Sequence, residues 1–145
     1  MHPIRIAAAV ILNESGQTLL VRKRGTSAFM QAGGKIEPHE APLDALRREL
    51  KEELGIDLGP ETPAYLGRFS APAANEEGRM VEADMFLLRL CQAVRPAAEL
   101  EEIRWIDPAA IPAMSLAPLT RDHLLPLIIS PAVSARRKEA TFHPS

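Results

Sequence analysis

Short apolar runs alternate with turn-forming segments at the start of the chain. Residues 4 to 12 and 18 to 23 are two such runs, and the polar segment 13 to 16 separates them. Two apolar runs joined by a short turn that contains glycine predict a β-hairpin. After the hairpin the chain reaches the paired glycines Gly33 and Gly34, which permit backbone geometries that side chains forbid.

The hydrophobic spacing then becomes helical. Between Ala41 and Leu54 the leucines recur at intervals of three and four residues, the spacing of one face of an α-helix. Pro42 suits the first turn of a helix, and Gly55 suits its end. The sequence therefore predicts one helix over residues 41 to 54.

Strand-like and helical patterns alternate along the rest of the chain. Further apolar runs predict strands over residues 65–69, 80–90 and 103–106. A final apolar stretch, residues 116–129, predicts a helix that Pro126 bends or breaks. We therefore expect one mixed α/β domain over residues 1–130, followed by a flexible tail over residues 131–145.

Composition excludes several classes of protein. The 145 residues are 46% hydrophobic and 25% charged, as in globular proteins, which argues against disorder. A net charge of −2 and only 4% aromatic residues argue against binding of long nucleic acids. The single cysteine, Cys91, cannot form an intrachain disulfide, and no apolar run is long enough for a membrane span or typical of a signal peptide. The expected location is the cytoplasm, away from membranes.

Three glutamates of the predicted helix share one narrow arc. At about 100° per residue, Glu52 lies about 60° behind Glu49, and Glu53 lies about 40° ahead of it. Neighbouring carboxylates repel one another, and Mg²⁺, which prefers hard oxygen ligands, would offset that repulsion. The alternative is a solvated acidic face held by salt bridges. The basic residues available for such bridges are Arg47, Arg48 and Lys51.

The spacing around this helix is more specific than the acidic arc alone. Nine positions in the 23 residues from Gly34 to Ile56 resemble the signature of the Nudix hydrolase family, and no fixed position departs from it. These positions are Gly34, Glu40, Arg48, Glu49, Leu50, Glu52, Glu53, Gly55 and Ile56. The resemblance implies an α/β/α sandwich around a mixed β-sheet. It also implies cleavage of a nucleoside diphosphate linked to another moiety, with Mg²⁺ or Mn²⁺ as cofactor.

The resemblance also assigns roles in the chemistry. Glu49, Glu52 and Glu53 would ligate the divalent metal, and Glu52 or Glu53 would also orient the attacking water. Gly33 would offer a backbone carbonyl to the metal. Arg48 would pair with a glutamate of the helix and hold its rotamer. All four side chains would thus belong to the catalytic machinery.

Three matched positions would be structural. Gly34 would permit the turn that brings Gly33 to the metal, Glu40 would fix the preceding loop to the helix, and Gly55 would end the helix. Independent chemistry agrees with the assignment, because metal ions that bridge pyrophosphate oxygens screen their charge and lower the pKa of bound water.

Further charged residues are candidates outside the signature. Arg22, Lys23 and Arg24 close the hairpin and could bind phosphates, or they could be ordinary exposed residues. Members of this family often use an additional carboxylate as metal ligand or general base. The candidates are Glu99, Glu101 and Glu102, then Glu82, then Glu76 and Glu77. Of these candidates, we expect Glu99 or Glu101 to be the additional carboxylate.

The signature specifies the linkage and leaves the substrate open. The short chain and the run from Gly33 to Glu37 resemble MutT-like members, which hydrolyse oxidised nucleoside triphosphates. The alternatives are an ADP-ribose or nucleotide-sugar pyrophosphatase, for which Pro72 is an off-register signal, and a nucleotide-binding module without turnover. A binding module would not need all three acids. The resemblance also suggests a homodimer, although no segment specifies an interface.

Overall fold

A computed structural model describes residues 2–60, 62–90, 94–131, 133 and 141–142. Cys91 and most of the predicted tail lie outside the described residues, so the tail stays a prediction. The elements are, in chain order, β1 (Ile4–Leu12), β2 (Thr18–Lys23), β3 (Ala32–Lys35), α1 (Pro42–Leu54), β4 (Ala64–Pro72), β5 (Met80–Leu90), β6 (Leu100–Ile106), a π-helical segment (Thr120–Leu124), α2 (Leu125–Ile128) and β7 (Thr141–Phe142).

These strands form one mixed sheet with β1 near its centre. The order along the sheet is β4-β5-β1-β2-β6, with β3 also paired to β1 and β7 paired to β5. β1 runs parallel to β5 along its whole length, while its other side is divided between β3 and the start of β2. The predicted hairpin is therefore paired only where Leu12 meets Thr18, and β2 then pairs with β6.

Helices cover both faces of the sheet. Alternate β1 residues Ala7, Ala9 and Ile11 belong to the core cluster that contains the α1 leucines. The intervening residues, including Val10, belong to a second cluster with α2. A strand buried on both faces reads as a continuous apolar run, which is the pattern of residues 6 to 12. The predicted α/β/α sandwich is confirmed.

The helix predicted over residues 41 to 54 is present, and it is one residue shorter at its start. α1 begins at Pro42, and Gly55 ends it in the left-handed conformation with φ of 68°. The backbone N–H of Gly55 donates to the carbonyls of Leu50 and Lys51, which satisfies two of the last orphan acceptors of the helix.

Several elements differ from the sequence prediction. β4 and β6 are longer than the predicted strands 65–69 and 103–106, and β7 lies within the predicted tail. β3 contains both paired glycines and was not predicted, because glycine is depleted in strands. The last helix is shorter than predicted and starts as a π-helix, in which the Leu125 N–H donates to the Thr120 carbonyl. Pro126 follows in the first turn of α2, where it needs no N–H partner. No helix within the described ranges is long and apolar enough to cross a bilayer.

Candidate active site

The carboxylates of α1 lie directly on the glycines of β3. A β-carbon on Gly34 would stand 2.4 Å from Glu49 Cδ, and one on Gly33 would stand 2.2 Å from the Ala7 carbonyl oxygen. Real β-carbons essentially never make contacts this short, and Gly33 also has a φ of 152°, which other residues rarely adopt. The paired glycines therefore allow α1 and β1 to approach β3 from two sides.

Glu53 is a buried carboxylate at the centre of this contact. Its residue surface is only 3% exposed, and its Oε1 has no hydrogen-bond partner among the residues that the structure describes. Burial raises the pKa of Glu53 to about 7, an effect opposed by the charge of Lys23 and a hydrogen bond donated by the Gly33 N–H. The negative charges of Glu49 and Glu99 raise it further. Such a group is stabilised by any cation that reaches it.

Arg48 joins the loop before α1 to the helix. Its Nε and Nη2 donate to the two carboxylate oxygens of Glu40, at 3.0 and 2.9 Å, and its Nη1 donates to Glu49 Oε1 at 2.8 Å. Nη2 also donates to the Lys35 carbonyl at 3.1 Å. The Arg48 hydrogen bonds and one from the Glu37 N–H lower the pKa of Glu40 to about 2. The guanidinium thus fixes the position of Glu49 relative to the end of β3.

The three acids of the helical arc have different environments. Glu53 is buried and the Glu49 side chain is 15% exposed, whereas the Glu52 side chain is 56% exposed and its nearest ion-pair contact is Arg48 Nη1 at 3.9 Å. Within the described part of the chain, no three His, Cys, Asp or Glu side chains converge as a ready-made metal site. The three glutamates lie on one side of the helix, but within the described residues their carboxylates do not converge on one point.

The residues present nevertheless fit a hard divalent cation. The unpartnered Glu53 oxygen needs a positive partner, and carboxylate oxygens are the ligands that Mg²⁺ prefers. Glu49 supplies a second carboxylate that the Gly34 contact and Arg48 hold in place.

Of the three basic candidates, Lys23 is the one near the acids. A register shift between Arg22 and Lys23 interrupts the pairing of β2 with β6, and such bulges redirect side chains. Lys23 lines a cleft beside β3, together with Gly33 and Gly34. Its positive charge lowers the pKa of Glu53. Arg22 instead donates to Glu102 and to the Thr26 carbonyl.

The additional acidic candidates divide in the same way. The negative charge of Glu99 raises the pKa of Glu53. Among the described residues, Glu99 forms no salt bridge within 4.0 Å. Most of the others are held by arginine or lysine: Glu101 by Arg24, Glu102 by Arg22, Glu82 by Arg5 and Arg68, and Glu76 by Lys35 and Arg79. Glu77 is exposed. Glu99 is therefore the additional acid best placed near α1.

Sequence reasoning missed two buried polar groups. Asp84 lies in β5 with 2% exposure and accepts hydrogen bonds from Tyr65, Arg68 and Arg5. Gln31, immediately before β3, accepts a hydrogen bond from Thr120. For Gln31 the available signal was a polar side chain within an apolar run, whereas Asp84 shares its strand with Glu82 and Arg89 and carries a weaker signal.

Comparisons with known proteins agree with this geometry. The family model described as NUDIX domain matches residues 2–127. An RNA pyrophosphohydrolase of Halorhodospira halophila is 43% identical over 118 residues, covering 68% of this chain and 63% of that protein. A CTP pyrophosphohydrolase of Escherichia coli is 32% identical over 123 residues, covering 81% and 86%. This chain thus spans less than two thirds of the first relative and most of the second.

Solved structures show the same fold. The crystal structure of a MutT protein from Methanosarcina mazei superimposes with a TM-score of 0.70 at 25% identity, covering 87% of this chain and 93% of that one. The solution structure of the Escherichia coli ORF135 protein gives 0.67 at 28% identity, covering 96% and 94%. Fold, signature and relatives agree, and the chain belongs to the NUDIX domain family of hydrolases.

Proposed function

We propose that this protein uses Mg²⁺ or Mn²⁺ to hydrolyse the pyrophosphate linkage of a nucleoside triphosphate. The observation that carries the proposal is the buried Glu53 carboxylate, whose Oε1 lacks a partner in the described structure beside Glu49 and the glycines of β3. A carboxylate in this state is expected where a cation binds during function.

The residues have separable tasks in this mechanism. Glu49 and Glu53 would hold the cation, with the Gly33 carbonyl as a third oxygen and the exposed Glu52 as a further ligand. When bound, the cation neutralises phosphate oxygens and lowers the pKa of bound water. Arg48 fixes Glu49, so that this carboxylate needs no reorganisation when substrate arrives.

The bond changes follow from hydrolysis. A water oxygen forms a new bond to phosphorus and the bond from that phosphorus to the bridging oxygen breaks. The leaving phosphate or pyrophosphate keeps the bridging oxygen and the electron pair of that bond, and the water proton passes to a carboxylate. Glu99 is our candidate for that acceptor, because it lies close enough to Glu53 to raise its pKa and forms no salt bridge among the described residues. Lys23, at the edge of the cleft, would bind the phosphate oxygens. Arg22 and Arg24 would bind phosphate oxygens only if their salt bridges to Glu102 and Glu101 were broken.

The relatives support a nucleoside triphosphate as substrate. Two of them are named CTP pyrophosphohydrolase and 8-oxo-dGTP diphosphatase, the latter from Haemophilus influenzae at 44% identity over 57 residues. Another is named RNA pyrophosphohydrolase, but the net charge of −2 favours small substrates over a long polyanion. We further propose the cytoplasm, where nucleotides are abundant, as the location, and a homodimer as an assembly that gel filtration can test.

A substrate panel tests the proposal. Purified protein is assayed for phosphate and nucleotide release from the common and 8-oxo nucleoside triphosphates, ADP-ribose, nucleotide sugars and 5′-triphosphorylated RNA, with Mg²⁺, Mn²⁺ or chelator. We expect turnover of a triphosphate that chelator abolishes and that Glu53→Gln lowers at least about 100-fold. Glu14→Gln, which removes an exposed acid of the β1–β2 turn, is the matched control and should retain the wild-type rate.

Two results would count against the assignment. Turnover that persists in chelator would exclude the metal, and absence of turnover with every compound would favour a nucleotide-binding module. Faster cleavage of ADP-ribose or a nucleotide sugar than of any triphosphate would replace the proposed substrate class.

A further inference from the structure

A cleft of about 140 Å³ opens beside β3, on the side of the sheet opposite α1. Its floor is apolar and comes from Ile4, Ile6 and Ala8 of β1, while Met30 and Leu119 form part of its walls. Residues 72–76, which comprise the last residue of β4 and the start of the loop to β5, also line the cleft. A cleft with an apolar floor suits the ring system of a nucleobase.

Several polar residues also line the cleft, namely Lys23, Lys35, Asn75, Glu76, Gln31 and Thr120. Of these, Gln31 and Thr120 form a buried pair. Gln31 is 6% exposed and Thr120 is fully buried, and both line the cleft. The Thr120 hydroxyl donates to Gln31 Oε1 at 2.6 Å, which fixes the orientation of the amide. Gln31 Nε2 is buried and has no acceptor within the described residues. The two N–H groups of this nitrogen therefore have no acceptor among the described residues, which is unfavourable, and they belong to a residue that lines the cleft.

Two residues connect the cleft to the acidic site. Gly33 lines the cleft, and its N–H donates to the Glu53 carboxylate. Lys23 also lines the cleft and acts electrostatically on the same carboxylate. A nucleotide with its base against the apolar part of the lining would thus have Lys23 and Gly33 available to its phosphates, next to the acids of α1.

We propose that Gln31, oriented by Thr120, selects nucleotides whose base carries a carbonyl oxygen at purine position 6 or pyrimidine position 4. This inference rests on the proposed function and specifies its substrate class. A carbonyl oxygen accepts the N–H of Gln31. An amino group at the same position places donor against donor and leaves both unpaired, which is the arrangement that enzymes discriminate against most strongly.

Two pairs of nucleotides isolate this difference. ITP differs from ATP, and UTP from CTP, by a carbonyl in place of an amino group with the accompanying ring proton. We expect kcat/KM of the wild-type protein to favour ITP and UTP at least tenfold (about 1.4 kcal/mol). In a separate measurement without metal or turnover, IMP should bind more tightly than AMP.

Three variants locate the preference. Gln31→Met keeps the length of the side chain and removes its donors, so the preference should fall to within about twofold, mainly through KM. Thr120→Val keeps the shape and removes the hydroxyl, which frees the amide to rotate and should weaken the preference. Gln17→Met changes a glutamine of the β1–β2 turn and is the control, with the preference unchanged. Thermal unfolding verifies that each variant is folded.

The two proposals fail in different ways. If no nucleotide is turned over, the proposed function fails, while the binding of IMP and AMP still tests Gln31. Equal wild-type affinity for IMP and AMP, or a preference for ATP and CTP, would overturn the inference without any variant. Turnover with a carbonyl preference that survives in folded Gln31→Met would overturn the role of Gln31.

Discussion

Gly34 of β3 and Glu49 of α1 are packed so closely that any side chain at position 34 would occupy the space of the carboxylate. A β-carbon there would lie 2.4 Å from Glu49 Cδ and 2.5 Å from its Oε1. The position of one proposed metal ligand is therefore determined by the absence of a side chain on the neighbouring strand.

The variant Gly34→Ala tests this relationship. The added methyl must displace Glu49, and we expect kcat to fall at least about tenfold, with a loss of about 1–3 kcal/mol in the free energy of unfolding. Steady-state kinetics and urea denaturation measure the two effects.

A second substitution separates the contact from other effects of alanine. Gly34→Ala combined with Glu49→Ala removes the group that the methyl strikes, so stability should recover while activity stays low. A wild-type kcat in Gly34→Ala alone would show that catalysis does not depend on the position of the Glu49 carboxylate.

Arg48→Lys tests whether the shape of the guanidinium matters. Lysine keeps the charge but cannot donate at once to Glu40, Glu49 and the Lys35 carbonyl, as arginine does here. We expect kcat to fall about 10–100-fold, as for other residues that orient metal ligands, with KM changed less. Arg47→Lys on the same helix is the matched control, and equal kinetics for the two variants would remove the proposed positioning role.

Glu53→Gln should uncouple stability from activity. Burial raises the pKa of Glu53 from 4.5 to about 7, so the folded protein favours the protonated acid. The stability associated with this group is greatest below pH 4.5 and declines as pH rises to about 7. The shift corresponds to about 3 kcal/mol in the metal-free protein. Glutamine avoids this cost because it carries no charge.

We therefore expect metal-free Glu53→Gln to be more stable than the wild type at pH 8, by up to about 3 kcal/mol. The difference should shrink toward pH 5. Urea denaturation in chelator between pH 5 and 8.5 measures it, and divalent metal should restore stability to the wild type alone. A variant less stable than the wild type at pH 8 would contradict the burial argument.

Asp84→Asn tests the buried charge network at the β4 side of the sheet. Burial alone would raise the pKa of Asp84, but the hydrogen bonds from Tyr65 and Arg68 and the charges of Arg68 and Arg5 lower it below 3.8. The stabilisation is therefore complete above about pH 4 and is lost as pH falls through the lowered pKa. Because the Arg68 and Arg5 side chains are half exposed, we expect a moderate loss of about 1–3 kcal/mol at pH 7.

The pH dependence distinguishes the charge from the shape of the side chain. The difference between wild type and Asp84→Asn should decrease below about pH 4, where the aspartate becomes protonated in the unfolded chain before it does in the folded protein. Tyr65→Phe removes one 2.6 Å hydrogen bond and should cost less, about 1 kcal/mol. A loss that is the same at pH 3 and pH 7 would mean that packing, and not the ionised carboxylate, is responsible.

Local spacing made α1 predictable. Its leucine stripe, Pro42 and Gly55 act within one or two helical turns, and the structure confirms the helix and its end. The succession of the main strands along the chain was also predictable, because the apolar runs show which segments must be buried. The sandwich was implied by the resemblance of residues 34–56 to the Nudix signature, and not by the apolar runs. β3 was not predictable from the sequence, because its two glycines do not favour a strand. It forms because β2 pairs with only the end of β1, so that β3 can pair with the rest of that edge.

The sequence by itself determined that Glu49, Glu52 and Glu53 lie on one side of a helix, because the angle per residue of an α-helix is fixed. The tertiary structure decided that Glu53 is buried and Glu52 is exposed. It also decided that Gln31 meets Thr120, a residue 89 positions away. The physical reason is that helix periodicity arises from neighbours in sequence, whereas exclusion of water from a carboxylate or an amide requires distant segments to pack together.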